Sequence, residues 1–151
     1  MMALLQRVRN AAVEIEGSVT ARIGPGILIL LGIEQEEDAA DAEWLAGKIA
    51  RLRIFADEAG VMNLSVQETA GEVLVVSQFT LHASTKKGNR PSYIGAARPE
   101  LAVPLYESFV GQLRGLLGPN RVQTGRFGAS MQIHLVNDGP VTIPIDSRRR
   151  V

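Results

Sequence analysis

The chain contains no cysteine and only two histidines, His82 and His134, among its 151 residues. Disulfides, thiolate nucleophiles and zinc-thiolate sites are therefore excluded, and two histidines so far apart give no metal-ligand spacing. Aromatic residues make up only 5% of the chain, so the core must be mainly aliphatic. Lys and Arg total 16, as do Asp and Glu, and this neutrality offers no global field for a long duplex such as DNA. We expect neither a metal nor DNA as a partner.

Long apolar runs and the common nucleotide motifs are also missing. The longest apolar run, Ile27 to Gly32, is far too short to cross a bilayer. The first residues lack the basic-then-apolar layout of a signal peptide. No glycine pattern of a P-loop or dinucleotide site follows a predicted strand, so no cofactor is expected. These absences predict a soluble, cytoplasmic protein without a membrane partner, and the length predicts one domain over residues 1–151.

Hydrophobic periodicity predicts a sheet interrupted by two helices. One helix is predicted over residues 38–53, and a second around residues 101–113, where Pro104 requires either a start near Ala102 or a kink. The basic tail, residues 146–151, is expected to fray. The predicted fold class is α+β, with a mostly antiparallel or mixed sheet curled into a partial barrel and two helices packed on it. Strands are predicted at residues 2–8, 12–15, 19–23, 27–33, 73–77, 121–124, 131–136 and 141–145.

The stretch that begins at Val73 is the first candidate site. Four apolar residues predict a strand buried on both faces, and the strand then runs into Ser77, Gln78 and Thr80. Polar groups at the end of a buried strand need either a function or local backbone partners, and both interpretations remain open on this stretch alone. A nucleophilic Ser77 or Thr80 would need a histidine base, and the sequence has no G-x-S-x-G elbow to support it.

The Gly139-Pro140 pair, between two predicted strands, is the second candidate. X-Pro bonds adopt the cis form far more often than other peptide bonds, and a cis bond here would fix the neighbouring carbonyls in an unusual direction. An ordinary hairpin turn is the alternative.

Two spaced motifs stand out in the sequence, Ser77 to Leu81 and Asn137 to Thr142. Taken together, they resemble the paired signature of the D-aminoacyl-tRNA deacylases. The resemblance extends from Met1 to Ile145, because further matching pieces follow in the same order at residues 5–8, 53–55, 62–64, 90–92 and 124–127. It implies a carboxylic ester hydrolase that cleaves the bond between a D-amino acid and tRNA and releases both, in chiral proofreading for translation quality control.

The resemblance also implies a homodimer. Gly139-Pro140, in cis, would reach into the active site of the partner subunit and select chirality there, together with Asn137 and Thr142, while Arg7 would hold this loop in place. A filter that rejects L side chains by steric clash cannot reject glycine, so glycyl-tRNA is expected to be a substrate as well, including glycine mischarged on tRNA specific for alanine.

An aminoacyl ester is already activated, so the chemistry needs oriented water and oxyanion donors more than a strong base. We expect the backbone N–H of Phe79 and its neighbours to be these donors, beside Ser77 and Gln78. The resemblance implies help from the 2'-hydroxyl of the terminal ribose, with Thr80 as a positioning residue, whereas a covalent Thr80 ester is the rival mechanism.

The tRNA end requires a binding site for its terminal adenosine. Phe127, Gly128 and Met131 resemble the adenosine pocket of the family. Lys86 and Lys87, with Arg90, either contact phosphates or belong to a solvated loop. Two further functions remain open on the sequence alone, a general serine or threonine esterase and a non-catalytic module that binds RNA ends.

Overall fold

The structure is a computed structural model that describes residues Met1–Val151. It contains eight strands, two α-helices and two short 3-10 turns. In chain order these are β1 (Met2–Ile15), β2 (Ser18–Ile23), β3 (Gly26–Gly32), α1 (Ala39–Ala50), β4 (Phe55–Ala56), β5 (Met62–Leu64), β6 (Glu72–Ser77), a 3-10 turn (Phe79–His82), α2 (Pro99–Leu117), a 3-10 turn (Pro119–Arg121), β7 (Val122–Thr124) and β8 (Gln132–Asp146).

The long strand β1 organises the main sheet, because three other strands pair with it. β2 and β3 pair antiparallel with its second and first halves, and β8 pairs antiparallel along its other edge. β6 and β7 then extend the sheet in parallel from β3. The result is a mixed six-stranded sheet that curls almost into a barrel. The predicted fold class is therefore confirmed.

Strand β6 is buried on both faces, as its continuous apolar sequence predicts. Val73 and Val75 belong to the larger core cluster, which both helices cover. Leu74 and Val76 belong to a smaller cluster on the opposite face of the sheet. β3 approaches β6 closely at its start because Gly26 has no side chain. A Cβ added at Gly26 would overlap the backbone of Glu72.

Both helices form where apolar periodicity predicts them. Asp38 caps α1, and its side chain and that of Asp41 accept each other's backbone N–H groups. Helix α2 starts at Pro99, so the predicted start near Ala102 is wrong. A proline at the first helical position loses no helical hydrogen bond, and the exposed Pro104 frees only the carbonyl of Glu100, near the solvent. Neither helix has the length and apolarity that a membrane crossing requires.

Two predicted strand breaks do not occur. The sequence predicts separate strands at residues 2–8 and 12–15, but β1 is continuous, because it keeps pairing with β8 past the exposed Arg9 and Asn10. The expected break around Gly139-Pro140 is a bulge inside β8. Gln6 pairs with Thr142 and Val8 with Asn137, so residues 138–141 all stand opposite the single residue Arg7. The alternative of a hairpin turn is wrong.

The basic tail is packed against α1, whereas the sequence predicts a frayed end. Ser147 is buried and its hydroxyl donates to a carboxylate oxygen of Asp41 at 2.8 Å. Arg148 forms an ion pair with the same carboxylate at 3.0 Å, and the guanidinium of Arg150 lies 4.0 Å from the centre of the Trp44 ring. These contacts join residues far apart in the chain, which local sequence patterns do not reveal.

We expect Asp41→Asn to destabilise the protein in a pH-dependent manner. Burial raises the pKa of Asp41, but hydrogen bonds from Arg148, Ser147 and the Asp38 backbone outweigh it and lower the pKa from 3.8 to about 2. The carboxylate then contributes about 2 kcal/mol above pH 4, and this is lost as the pH falls towards 2. Urea unfolding between pH 2 and pH 6 measures the difference between parent and variant.

The exposed Glu43 on the same helix gives a matched control, Glu43→Gln, for which we expect a change within about 0.5 kcal/mol. A destabilisation by Asp41→Asn that is the same at pH 2 and pH 6 would contradict the assignment.

Candidate active site

A mostly apolar cavity of about 270 Å³ lies where the parallel strands β3 and β6 end. Parallel strands place their carboxyl ends at the same edge of a sheet, so side chains that follow them converge. The cavity is lined by Leu31, Ile33, Val76, Ser77, Gln78, Phe79, Ala97, Ala102, Phe127, Gly128, Ala129, Met131 and Ile133.

The cavity unites two of the predicted sets of residues. Ser77, Gln78 and Phe79 come from the end of β6, and the predicted adenosine-pocket residues come from the connection between β7 and β8. Sequence reasoning missed the walls that β3 and the start of α2 supply, such as Leu31 and Ala102. The sequence does contain a signal for the wall from β3, because a second continuous apolar strand suggests a parallel neighbour of β6.

Backbone hydrogen bonds shape the turn after β6. The N–H of Gln78 donates to Leu31 O at 2.8 Å, and the N–H of Leu81 donates to Gln78 O at 3.2 Å. Phe79 and Thr80 therefore occupy the first positions of a 3-10 turn, where N–H groups have no partner within the turn. The side-chain amide of Gln78 donates to the hydroxyl of Thr80. Gln78 lines the cavity, whereas Thr80 lies beside it and is not part of its wall.

Neither histidine contacts the candidate hydroxyl nucleophiles. The buried imidazole of His82 lies 3.1 Å from Glu34 Oε1 through its Nδ1. His134 lies on β8 and its Nε2 is 2.7 Å from a carboxylate oxygen of Glu14. The hydroxyl of Thr80 is engaged by Gln78 instead, so the chain assembles no Ser-His or Thr-His pair.

The aromatic wall of the cavity is positioned from behind by Tyr106 of α2. The rings of Tyr106 and Phe127 meet edge to face, with centroids 5.7 Å apart. The Tyr106 hydroxyl donates to Val75 O, inside β6, at 3.1 Å. Burial raises the pKa of Tyr106 to about 12, so the phenol stays neutral and keeps its proton for this bond.

The remaining predicted residues form a second group, on the bulge of β8. The Gly139-Pro140 peptide bond is cis, and both residues are exposed. Arg7 Nε donates to Asp138 O at 3.0 Å, and the Asn137 amide donates to Arg7 O and Val141 O, both at 3.0 Å. At Gly139 the φ angle is +130°, and an added Cβ would lie 2.9 Å from the Arg7 guanidinium, so only glycine fits.

This second group does not line the cavity of the same chain. Thr142 also lies apart from the cavity, on the exposed side of β8, where its hydroxyl accepts a hydrogen bond from the Gln6 amide at 3.3 Å. The predicted site residues thus fall into two clusters on one chain: a cavity at the end of β6 and a loop on β8, residues 137–142, that hydrogen bonds join to Arg7.

The model of the D-Tyr-tRNA(Tyr) deacylase family matches residues 4–146. Over 150 residues, the chain is 60% identical to a D-aminoacyl-tRNA deacylase of Akkermansia muciniphila, with 99% of each chain covered. A protein of the same name from Flavobacterium johnsoniae is 56% identical over the same length and coverage. The chain belongs to the D-Tyr-tRNA(Tyr) deacylase family. The resemblance given by the two motifs is therefore confirmed.

Two solved structures share the fold of this chain. A structure described as c-Myc DNA Unwinding Element Binding Protein superposes with a TM-score of 0.92 at 44% identity, covering 97% of this chain and 98% of that one. A probable eukaryotic D-amino acid tRNA deacylase superposes with a TM-score of 0.80 at 17% identity, covering 95% and 98%. The second likeness shows the fold. The prediction of an enzyme of this family, a hydrolase of aminoacyl-tRNA esters, is confirmed by the family and its named relatives.

We expect Arg7→Lys to loosen the loop on β8. Lysine cannot reproduce the fork of the Arg7 guanidinium, which donates both to Asp138 O and to Ile54 O. The loss of one charged hydrogen bond should lower the free energy of unfolding by about 2 kcal/mol and speed amide hydrogen exchange at residues 137–142. Urea unfolding and exchange mass spectrometry measure these effects.

The neighbouring Arg9 is the matched control, because its side chain is 75% exposed and its closest carboxylate lies 3.7 Å away. Arg9→Lys should change neither quantity measurably. Equal effects of the two substitutions would show that Arg7 does not hold the loop.

Proposed function

We propose that this chain hydrolyses the ester that joins a D-amino acid to the terminal adenosine of tRNA, releasing tRNA and the amino acid. The whole chain acts as one domain, in the cytoplasm, where aminoacyl-tRNA is consumed. The observation that carries the proposal is the single cavity that joins Ser77, Gln78 and Phe79 to Phe127 and Met131, in a chain whose relatives bear the name of this reaction.

The adenosine and the ester occupy different parts of this cavity. The apolar half, with Phe127 backed by Tyr106 and with Gly128 and Met131 beside it, accepts the flat base of the terminal adenosine. The ester then lies towards the end of β6, where the polar side chains of Ser77 and Gln78 line the wall.

Backbone groups supply the oxyanion donors. Attack of water on the ester carbonyl places a negative charge on its oxygen, and the N–H groups of Phe79 and Thr80, at the start of the 3-10 turn, are available to stabilise it. The 2'-hydroxyl of the substrate's own ribose helps to activate the water. Thr80 acts as a positioning residue because Gln78 already engages its hydroxyl.

Chirality is selected by the loop of a second copy in a homodimer. Within one chain, the exposed Gly139-Pro140 bulge lies outside the cavity. A hydrogen bond from Arg7 to Asp138 O holds the bulge in this position. In an isologous dimer the loop of each copy closes the cavity of the other. Its fixed carbonyls bind the amino group of the substrate, so a D side chain points outward and an L side chain meets backbone. Glycine has no side chain to meet the backbone, so glycyl-tRNA is not rejected.

We expect D-tyrosyl-tRNA and glycyl-tRNA to be hydrolysed and L-tyrosyl-tRNA to be spared by at least about a hundredfold in kcat/KM. Thr80→Ala should retain activity within about tenfold, because water and not the hydroxyl attacks the ester. Loss of label from the three esters, at enzyme concentrations well below that of the substrate, measures these rates.

Four outcomes would contradict parts of the proposal. Equal hydrolysis of the D and L esters indicates a general esterase, and no hydrolysis of either indicates a module that only binds RNA ends. Glycyl-tRNA that survives enzyme levels sufficient to clear D-tyrosyl-tRNA contradicts the steric filter. Complete loss of activity in a folded Thr80→Ala variant favours the covalent mechanism.

We expect two inactive variants to restore each other if the site is shared between copies. One carries Phe79→Pro, which removes an oxyanion donor, and the other carries Pro140→Ala, which alters the loop. A mixed dimer of these has one site with an intact cavity and an intact loop. Co-refolding equal amounts should recover about a quarter of the parent activity, since about half of randomly formed dimers are mixed.

The control mixes each variant with additional copies of itself, which should recover nothing. If mixing the two variants also recovers nothing although size-exclusion shows mixed dimers, the loop acts within its own chain or not at all.

A further inference from the structure

The segment between the 3-10 turn and α2 concentrates positive charge. Residues 83–98 contain Lys86, Lys87, Arg90 and Arg98 and no acidic residue, in a chain whose net charge is zero. All four side chains belong to exposed residues. None takes part in the ion pairs of the structure, which involve other parts of the chain. Their charge is therefore free to act on a partner.

Backbone pairing gives the segment a defined shape. Ser84 and Ser92 exchange two hydrogen bonds, at 2.8 and 2.9 Å, and so close the residues between them into a narrow loop. Gly88, with φ of +64°, allows the reversal inside it. We call residues 85–91 the basic loop, because Lys86, Lys87 and Arg90 are all within it.

An exposed aromatic edge lies between the basic loop and the cavity. Tyr93 follows the pair that closes the loop, and its ring meets Phe79 edge to face with centroids 5.1 Å apart. Phe79 lines the cavity although it is 57% exposed, and Tyr93 is 40% exposed. The Ala97 N–H donates to Ile33 O at 2.8 Å, which ties the end of the segment to the cavity wall.

We propose that this surface, the basic loop with Phe79 and Tyr93, binds the single-stranded tRNA end that precedes the terminal adenosine. The base of the preceding nucleotide stacks on the exposed rings, and the phosphates pair with Lys86, Lys87 and Arg90. Aromatic rings beside unpaired cations are the combination that binds single-stranded RNA. This inference rests on the proposed function, which places the terminal nucleoside in the cavity.

The charge of the surface favours RNA over a second copy of this chain. The large exposed apolar side chains of this surface are Phe79, Tyr93 and Ile94, and residues 83–98 add four cations that form no ion pair. Two copies meeting through this face would oppose like charges without acidic partners. A phosphate backbone supplies the opposite charge at a regular spacing.

The test compares two variants that lose the same charge. One is Lys86→Gln/Lys87→Gln/Arg90→Gln, and the control is Arg22→Gln/Lys48→Gln/Arg114→Gln, which changes exposed residues elsewhere. Fluorescence anisotropy measures the affinity for uncharged tRNA between 50 and 200 mM salt. Three lost phosphate contacts should reduce the slope of log affinity against log salt by about 2 for the loop variant, and the control should keep the parent slope.

Tyr93 tests the stacking separately. Tyr93→Ala should weaken binding of uncharged tRNA about tenfold or more, while Tyr93→Phe, which keeps the ring, should bind like the parent. Sedimentation of the same variants measures their oligomeric state. An unchanged salt slope in the loop variant overturns the proposal, and so does a change of oligomeric state in Tyr93→Ala, which would show that a second copy covers this surface.

D-tyrosyl-adenosine separates this proposal from the proposed function. It carries the ester and the terminal nucleoside but no phosphate, so the loop variant should hydrolyse it as the control variant does. Failure of the parent to hydrolyse it contradicts the function assigned to the cavity. A loop variant that loses this activity to the same extent as tRNA binding overturns the surface, because the loop would then act on the cavity and not on RNA.

Discussion

The parallel pairing of β3 with β6 is the constraint on which the cavity depends. It places Leu31 opposite Ser77, and the Leu31 carbonyl then accepts the Gln78 N–H that begins the 3-10 turn. Gly26 permits this pairing at the other end of the strands, where no Cβ fits against Glu72. A shift of one residue would exchange the two faces of β6, which pack in different clusters, and would turn the cavity residues away from each other.

Strand β1 connects this pairing to the loop on β8. Leu5 pairs with Ile29 of β3 and with Ile143 of β8, so the two strands lie along opposite edges of β1. The start of β8 still reaches the cavity, which Ile133 lines, but Gly139-Pro140, further along the same strand, does not line it. This position of the loop gives a structural reason for proposing that it serves the cavity of another copy.

Local sequence patterns predict the strands and helices whose formation depends on residues adjacent in the chain. The buried character of β6 followed from its apolar run, and α1 followed from its apolar period, although Asp38, predicted inside the helix, is its N-cap. The continuity of β1 did not follow, because the exposed Arg9 and Asn10 break its alternation while β8 keeps it paired from the other edge. The packed tail was missed for the same reason, since Ser147 contacts Asp41 across more than a hundred residues.

The candidate site was predictable in a different way. The residues of the two motifs came from a resemblance, whereas their grouping into a cavity and a separate loop needed the register of β3, β6 and β8. The sequence leaves open whether a histidine serves as base for a hydroxyl nucleophile. The structure disfavours His82 in this role because its imidazole contacts Glu34, and no short motif connects these two residues.

The neutral charge of the chain fits a task in which the RNA carries no information about chirality. D- and L-aminoacyl-tRNA present the same phosphates, so contacts to RNA stabilise both equally and cannot discriminate between them. Discrimination must arise at the ester, and in our proposal backbone groups there meet one enantiomer only. A strongly basic face would increase binding of free tRNA and of correct L esters through their RNA, and both would then compete with the D ester for the enzyme. In our proposal only the four cations of residues 86–98 position the RNA. The other residues carry 12 basic and 16 acidic side chains, and this acidic excess offsets the four cations and limits the attraction for free tRNA.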